Sequence, residues 1–198
     1  MDANSWNQKY QATDRLWSAT PNQFVAAELA DLEPGRAIDL AAGEGRNAVW
    51  LAERGWKVTA VDFSDVAIDR GRVAAAERNL EIDWQVGDVH HLELEPKSYD
   101  LVVLAYLQLP WPEMERILPR AAAAVAPGGT LLLIAHDSKN LEHGHGGPQT
   151  EVVLYTPEQV VGVLGELHID RAETVDRVVD TPEGQKVALD CLVRAHAV

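Results

Sequence analysis

The stretch AIDLAAGEGRNAVW, residues 37–50, decides the fold of this chain. A short apolar run ends in Asp39, a glycine-rich turn follows, and the residues after the turn have a helical composition. A strand, a glycine turn and a helix in this order typically hold a nucleotide. Two kinds of ligand remain open at this point: a dinucleotide with its phosphates on the helix N-terminus, or an adenosyl ligand without phosphate.

The composition bounds the class of protein. The chain has 198 residues with 46% hydrophobic residues, which fits one domain with a sizeable core. Its formal net charge of −14 argues against a nucleic-acid partner, which would require a basic face. Cys191 is the sole cysteine, so we expect no internal disulfide and a reducing compartment. The first residues lack the apolar core of a secretory signal, and no apolar run approaches the ~18 residues of a membrane span, so we expect a cytoplasmic protein without a membrane partner.

Apolar runs and helical stretches alternate along the chain. The β-branched and apolar content predicts strands at residues 36–41, 57–62, 82–86, 99–107 and 130–136, followed by two long strands at about 168–179 and 186–196 joined by the turn TPEG. Helices are predicted to follow Gly45, Ser64 and Thr156, and a further one over 112–126 should kink or split at Pro119. Residues 127–129, PGG, are predicted to form a turn.

This alternation predicts an open, doubly wound, Rossmann-like α/β fold. We expect a seven-stranded sheet that is mostly parallel, closed by an antiparallel C-terminal hairpin and covered by helices on both faces. The whole chain, 1–198, is predicted to be one domain, with a helical segment at 1–33 and an α/β core at 34–198. In that segment Trp6, Tyr10 and Trp17 are spaced about as helical turns would place them.

Three features of the sequence favour the adenosyl ligand over the dinucleotide. Asp39, at the carboxyl end of the first strand, and Glu44, inside the turn, would repel a pyrophosphate and suit a cationic amine. Asp88, after the third strand, can accept a hydrogen bond from an adenine amino group. The length leaves no room for the second substrate domain that a dehydrogenase of this layout normally needs. Asp62, about 20 residues after the turn, fits the ribose hydroxyls in either case.

Successive motifs resemble those of class I S-adenosylmethionine-dependent methyltransferases. The resemblance is found in AIDLAAGEGRN (37–47), VTAVDFS (58–64), QVGDVHHL (85–92), YDLVVLAYL (99–107) and APGGTLLLIAHD (126–137). The beginning of the chain, with WNQKY (6–10) and LWSATPNQFVAAEL (16–29), is similar to the small methyltransferases grouped with tellurite-resistance and thiopurine methyltransferases. The resemblance implies S-adenosylmethionine as cofactor, S-adenosylhomocysteine as product and a small-molecule methyl acceptor, with the activity class EC 2.1.1.-.

The resemblance also implies a set of cofactor-binding residues. The methionine part of the cofactor would lie over Gly43 and Gly45, and its amino end would meet Asp39 and the carbonyl of Ala41. Asp62 would take the ribose hydroxyls. Phe63, Asp88 and Val89 would contact the adenine, and Ala105 and Tyr106 would form the floor below the sulfonium. The remaining implied contacts are Asn47 and Trp17. Trp17 belongs to the N-terminal segment, which would lie over the pocket as a lid.

No fixed catalytic side chain follows from the sequence, because the cofactor supplies the electrophile and a base is needed only for a protonated nucleophile. His136 and Tyr106 are the candidates. The glycine-rich loop at 137–150 is either a solvated loop or a contributor of a base or a substrate contact through His143 or His145. Those two histidines could also form a metal site with His136 and Asp137, but glycine-rich flexibility does not favour one, and we expect no metal.

The acceptor and the assembly stay open at the level of sequence. Arg177 and Lys186 are the nearest basic candidates for the oxyanion site of tellurite-type enzymes, yet VDRVVD (175–180) lacks the expected His-Arg pair. Either a monomer or a homodimer is compatible with the sequence. The rival functions are a catalytically silent S-adenosylmethionine-binding regulatory module and a nicotinamide-dependent oxidoreductase.

Overall fold

The computed structural model describes residues 2–198, and the predicted N-terminal segment is described from Asp2 onward. Its helices are α1 (Ala3–Gln11), α2 (Gln23–Leu29), α3 (Arg46–Glu53), α4 (Asp65–Ala76), α5 (Trp111–Ala123), α6 (Asn140–His143) and α7 (Pro157–Val161), with a 3₁₀ turn at Glu151–Val153. Its strands are β1 (Arg36–Leu40), β2 (Lys57–Asp62), β3 (Asp83–Val86), β4 (Tyr99–Ala105), β5 (Val125–His136), β6 (His168–Thr181) and β7 (Gly184–His196).

The seven strands form one sheet in the order β3-β2-β1-β4-β5-β7-β6. The neighbours from β3 to β5 are parallel, whereas β7 is antiparallel to both β5 and β6. This arrangement confirms the predicted fold class. The strand order reverses between β1 and β4, and ligands of doubly wound sheets bind at the carboxyl ends of the strands beside such a reversal.

Helices cover both faces of the sheet because alternate residues of each central strand point to opposite sides. Val102 and Leu104 of β4 lie in a core with α5, whereas Leu101 and Val103 lie in a second core with α2 and α3. All four side chains are buried. Burial on both faces explains why β4 reads as a continuous apolar run.

Local signals at the helix ends behave as predicted. The Ser64 hydroxyl accepts a hydrogen bond from the Ala67 N–H at the start of α4. Thr156 and Gln159 form a reciprocal capping box at the start of α7. These caps satisfy N–H groups that have no partner within the helix.

Three local predictions were wrong. The helix is not split at Pro119, which lies inside α5 and is followed by helix to Ala123, because the buried apolar face of the helix outweighs the lost hydrogen bond. The predicted turn at 127–129 lies within β5, where the register with β4 shifts between the pairs formed by Tyr99 and Leu101. Trp17 lies beyond the end of α1, and its backbone N–H donates to Glu44 instead of continuing a helix.

Candidate active site

The predicted site residues gather at one edge of the sheet. Asp39 of β1, Asp62 of β2, Ala105 of β4 and His136 of β5 all lie at or near the carboxyl ends of parallel strands. The glycine turn that follows β1 lies at the same edge, beside the reversal in strand order. This is the position at which open α/β sheets bind their ligands.

Asp39 is the most unusual side chain of this edge. It is fully buried, and neither carboxylate oxygen has a hydrogen-bond partner among residues 2–198. Burial, together with the nearby Asp62 carboxylate, raises the pKa of Asp39 to about 7, although the Arg46 charge and the nearby Ala48 N–H oppose the shift. A buried carboxylate without a donor is costly, so the residue is poised for a cationic or hydrogen-bond-donating group that the protein itself does not supply.

Two residues near this edge have a left-handed backbone that is uncommon for residues other than glycine. Ala41 follows β1 with φ 62°, and Tyr106 follows β4 with φ 60°. Such conformations persist only where the surrounding structure enforces them, and they cluster at functional sites. Both residues are among the predicted contacts, and Ala41 is the one whose carbonyl was expected to meet an amino group.

Asp62 ties the glycine turn to the end of β2. One carboxylate oxygen accepts the N–H of Gly43 at 2.8 Å, and the other accepts the N–H of Ser64 at 2.9 Å. Burial raises the pKa of Asp62. The residue therefore has a structural role in the turn in addition to any contact with a ribose.

An aromatic cluster covers the glycine turn. The indole N–H of Trp17 donates to the Tyr10 hydroxyl at 3.4 Å, and Trp6 lies against both rings. A Cβ atom placed on Gly43 would lie 2.9 Å from that hydroxyl, so the cluster approaches the turn closely. Tyr10 is buried, whereas 43% of Trp17 is exposed.

Gly45 has a packing reason that the sequence did not reveal. A Cβ atom at this position would lie 2.1 Å from the indole of Trp84 on β3, so only glycine lets α3 begin here. Gly45 therefore need not contact a ligand to be required.

Glu44 does not serve the role expected of it. Its carboxylate accepts the backbone N–H groups of Leu16 and Trp17 at 3.0 and 3.2 Å and pairs with Arg70 at 3.1 Å. These contacts hold the N-terminal segment against the turn. The expectation that Glu44 would attract a cationic ligand is thus wrong, because its charge is used within the protein.

The contacts expected for an adenine lie around the loop after β3. The Asp88 carboxylate accepts the backbone N–H of His90 at 2.9 Å and lies 2.6 Å from Nδ1 of the same residue. Nε2 of His90 lies 2.7 Å from the Glu113 carboxylate. Phe63 is half-buried after β2, and Val89 packs against the core. Asp88 is thus held in place from the side of α5.

Asn47 connects the turn to the end of β4. Its side-chain oxygen accepts the N–H of Asn22 at 2.9 Å, and the Asn22 amide donates to the Tyr106 hydroxyl at 3.3 Å. Asn22 also caps α2. Sequence reasoning missed Asn22, although an Asn before a helical stretch is a typical N-cap signal.

Arg46 is a second residue that sequence reasoning missed. It is half-buried in the turn, donates to the Ser18 hydroxyl at 3.1 Å and lies over the Trp17 ring. Within residues 2–198 it forms no ion pair, and its charge lies near Asp39. Arg46 directly follows Gly45 in the glycine turn GEGRN (43–47), and this position was the signal that could have identified it.

A polar cluster lies at the ends of β4 and β5. The buried carboxylate of Asp190 on β7 accepts hydrogen bonds from the Tyr106 hydroxyl and from Arg177, each at 2.6 Å, and lies 3.1 Å from Nδ1 of His136. Although burial opposes this effect, the three donors lower the pKa of Asp190. The tyrosine and imidazole rings are 5.0 Å apart.

The other candidates lie outside this cluster. Lys186 is half-buried on the hairpin beside Glu183, and His143 is exposed beside Glu142. Cys191 is buried as predicted. Within the described residues no group of three or more His, Cys, Asp or Glu side chains could hold a metal ion.

Comparisons with known proteins agree with this architecture. Residues 37–129 match the family model described as a methyltransferase domain. The ubiquinone biosynthesis O-methyltransferase of Coxiella burnetii is 30% identical over 100 residues, which are 50% of this chain and 43% of that protein. The chain thus spans less than half the length of this curated relative.

Solved structures share the whole fold. TehB from Haemophilus influenzae has a TM-score of 0.75 at 16% identity and covers 100% of this chain and 68% of its own. A structure described as the conversion of a disulfide bond into a thioacetal group during echinomycin biosynthesis has a TM-score of 0.78 at 19% identity. The match covers 98% of this chain and 92% of that one. No helix in residues 2–198 is long and apolar enough to cross a bilayer.

The sheet order and the glycine turn give the chain the Rossmann-like fold found in methyltransferases, and residues 37–129 are similar to a methyltransferase domain.

Proposed function

We propose that the protein transfers a methyl group from S-adenosylmethionine to a small-molecule acceptor. The observation that supports this most directly is Asp39, a buried carboxylate without a partner beside the glycine turn. A dinucleotide pyrophosphate would be repelled there, whereas the ammonium group of a methionine moiety would satisfy both oxygens. When bound, the cofactor supplies an electrophilic methyl group on a sulfonium.

The residues of the edge fit this cofactor part by part. The ammonium would be held by Asp39 and the Ala41 carbonyl, and the carboxylate by Arg46, which has no ion pair within residues 2–198. The ribose hydroxyls would meet Asp62. The remaining proposed contacts are Gly43 and Gly45 in the turn, Asn47 beside it, Phe63, Asp88 and Val89 for the adenine, and Ala105 and Tyr106 below the sulfonium.

The N-terminal segment, 1–33, is proposed to act as a lid over a core at 34–198. The Glu44 contacts with Leu16 and Trp17 support this proposal, since they hold the segment over the turn. Trp17 would then lie over the methionine part of the cofactor. Removal of residues 1–20 should impair turnover, and unchanged kcat and KM would contradict the proposed lid.

The acceptor is proposed to be a small organic molecule. The similarity to the ubiquinone biosynthesis O-methyltransferase of Coxiella burnetii supports this proposal. We propose the tellurite-resistance and thiopurine-like subgroup on the N-terminal motifs, with TehB as a structural neighbour. An oxyanion acceptor is disfavoured because Arg177, its expected anchor, is paired with Asp190.

Calorimetric titration of the purified protein with S-adenosylmethionine, S-adenosylhomocysteine and NAD tests the proposal. We expect micromolar binding of the first two and none of NAD, and methyl transfer from labelled cofactor to members of an acceptor panel. Binding of NAD alone would refute the proposal. Binding of both adenosyl ligands without turnover of any acceptor would favour the silent regulatory module.

A further inference from the structure

We propose that His136 is the general base of this enzyme, that Asp190 orients it, and that the acceptor is therefore a hydroxyl compound that arrives protonated. This inference rests on the proposed methyltransferase function. The proposed base lies on the acceptor side of the same edge. Tyr106 is the one expected cofactor contact that belongs to this side.

The first observation is the pairing of His136 with Asp190. The two residues are direct cross-strand partners of β5 and β7, so the backbone itself sets their side chains next to each other. Nδ1 of the imidazole lies 3.1 Å from a carboxylate oxygen that is fully buried. A neighbouring carboxylate selects the tautomer with a proton on Nδ1, and this leaves the lone pair of Nε2 available as a base.

The second observation is that Asp190 is held ionised. Arg177 donates to it through Nε and Nη2, and the Tyr106 hydroxyl donates to it at 2.6 Å. These donors lower the pKa of Asp190 even though it is buried. The carboxylate therefore stays a hydrogen-bond acceptor and holds the imidazole of His136 in one orientation.

The third observation is the location of the imidazole. Its ring lies 5.0 Å from that of Tyr106, the proposed floor below the sulfonium. A Cβ atom on Gly147 would lie 3.0–3.1 Å from three atoms of the His136 ring, so the glycine backbone of the loop packs directly over the ring. The ring keeps 12% of its side-chain surface exposed, which leaves a route for an acceptor.

The other polar groups of the cluster fit less well as the base. The Tyr106 hydroxyl donates a hydrogen bond to Asp190, and burial raises the pKa of Tyr106. Arg177 is already paired, so it offers no free charge to an anionic acceptor. Asp137, the residue after β5, accepts hydrogen bonds from the Thr174 hydroxyl and from the Lys139 N–H. The Arg46 guanidinium also lies near Tyr106 and Arg177 and adds positive charge to the surroundings.

The oxygen of the acceptor forms a bond to the methyl carbon while the carbon–sulfur bond of the sulfonium breaks, and the bonding pair stays on sulfur as a neutral thioether. The proton of the hydroxyl moves to Nε2 of His136. The imidazolium then passes the proton to water.

The first test compares two acceptor probes with His136→Asn, a variant whose amide can still donate to Asp190 but which lacks Nε2. For a panel of phenols we expect kcat to fall by about 100-fold or more, the usual contribution of a general base. For 4-nitrothiophenol, which is already a thiolate at the assay pH, we expect kcat to fall by less than about 3-fold, since no proton must be removed. His168→Asn, at an exposed position on β6, is the matched control and should match the wild type.

An equal loss with phenols and thiolate, or no loss with either, would overturn the proposal, as would turnover of amines alone. The second test needs no acceptor. Long-range ¹H–¹⁵N NMR spectra should show the Nδ1–H tautomer of His136 in the wild-type protein and its loss in Asp190→Asn. The other tautomer in the wild type would overturn the proposal even if S-adenosylmethionine binds, whereas failure of the cofactor to bind by calorimetry would refute the proposed function.

Discussion

Replacing Asp39 by Asn should stabilise the free protein and weaken cofactor binding at the same time. Asp39 is fully buried without a hydrogen-bond partner in residues 2–198, and its pKa is raised from 3.8 to about 7. Asn has nearly the same shape but no charge. The substitution therefore removes the cost of a buried carboxylate and leaves the packing in place.

The magnitude follows from linkage. Between the unfolded pKa of 3.8 and the folded pKa of about 7, the folded protein binds more protons than the unfolded chain. The free energy of unfolding must then fall as the pH rises through this window. A difference of about three pKa units corresponds to about 4 kcal/mol, which is an upper bound on the stability gained by Asp39→Asn above pH 7. Well below pH 3.8 the gain should vanish, because the carboxyl group is then neutral in both states.

Urea unfolding of wild type and variant from pH 4 to pH 8 measures this difference. Asp31→Asn, at an exposed carboxylate after α2, is the matched control and should follow the wild type at every pH. Calorimetry with S-adenosylmethionine should show affinity reduced by about 10- to 150-fold in Asp39→Asn, the range for a hydrogen bond to a charged group. A variant with wild-type stability at pH 8 and wild-type affinity would refute the reasoning.

Three further predictions concern the turn, the N-terminal segment and α5. Gly43→Ala should weaken cofactor binding, since the φ of Gly43 is positive and the new Cβ would lie 2.9 Å from the Tyr10 hydroxyl. The control is Gly146→Ala, where φ is similar but no atom lies within 4 Å of the new Cβ, so calorimetry should show wild-type affinity for the cofactor. Equal losses of affinity in the two variants would contradict the argument from close approach. Glu44→Gln should accelerate amide exchange in the segment around Trp17, because the charged acceptor of two backbone N–H groups is lost; unchanged exchange would show that the segment is held by its aromatic contacts alone. Pro119→Ala should raise the free energy of unfolding by about 1 kcal/mol or more by restoring a helix hydrogen bond, and a decrease in urea unfolding would mean that the proline ring contributes more packing than its missing N–H costs.

The fold could be predicted from the sequence where local signals and burial agree. The buried strands β1, β2, β4 and β5 read as apolar runs, and Ser64 and Thr156 marked the starts of two helices. Pro119 and the PGG segment were misread because tertiary context overrode a local preference. A helix packed into the core tolerates an interior proline, and a strand can absorb a turn-like segment as an irregularity in its register.

The candidate site divides along the same line. Asp39, the glycine turn and Asp62 belong to one strand–turn–helix–strand pattern, so sequence spacing was sufficient to find them. Asp190 could not be found in this way, because the register of β7 against β5 brings it to His136 across 54 positions of the chain. Glu44 was assigned to a ligand because nothing in its spacing indicates that Leu16 and Trp17 fold back onto it.

The free protein thus keeps unfavourable features at one edge of its sheet. A buried carboxylate lacks a donor, and the backbone is strained at Ala41 and Tyr106, which directly follow the two strands that flank the reversal in strand order. Such features persist when their cost is offset on binding, since a ligand that satisfies Asp39 recovers free energy that the free protein lacks. Saturating cofactor should therefore stabilise the wild-type protein more than Asp39→Asn, and the difference should grow from pH 5 to pH 8 as the carboxylate becomes charged.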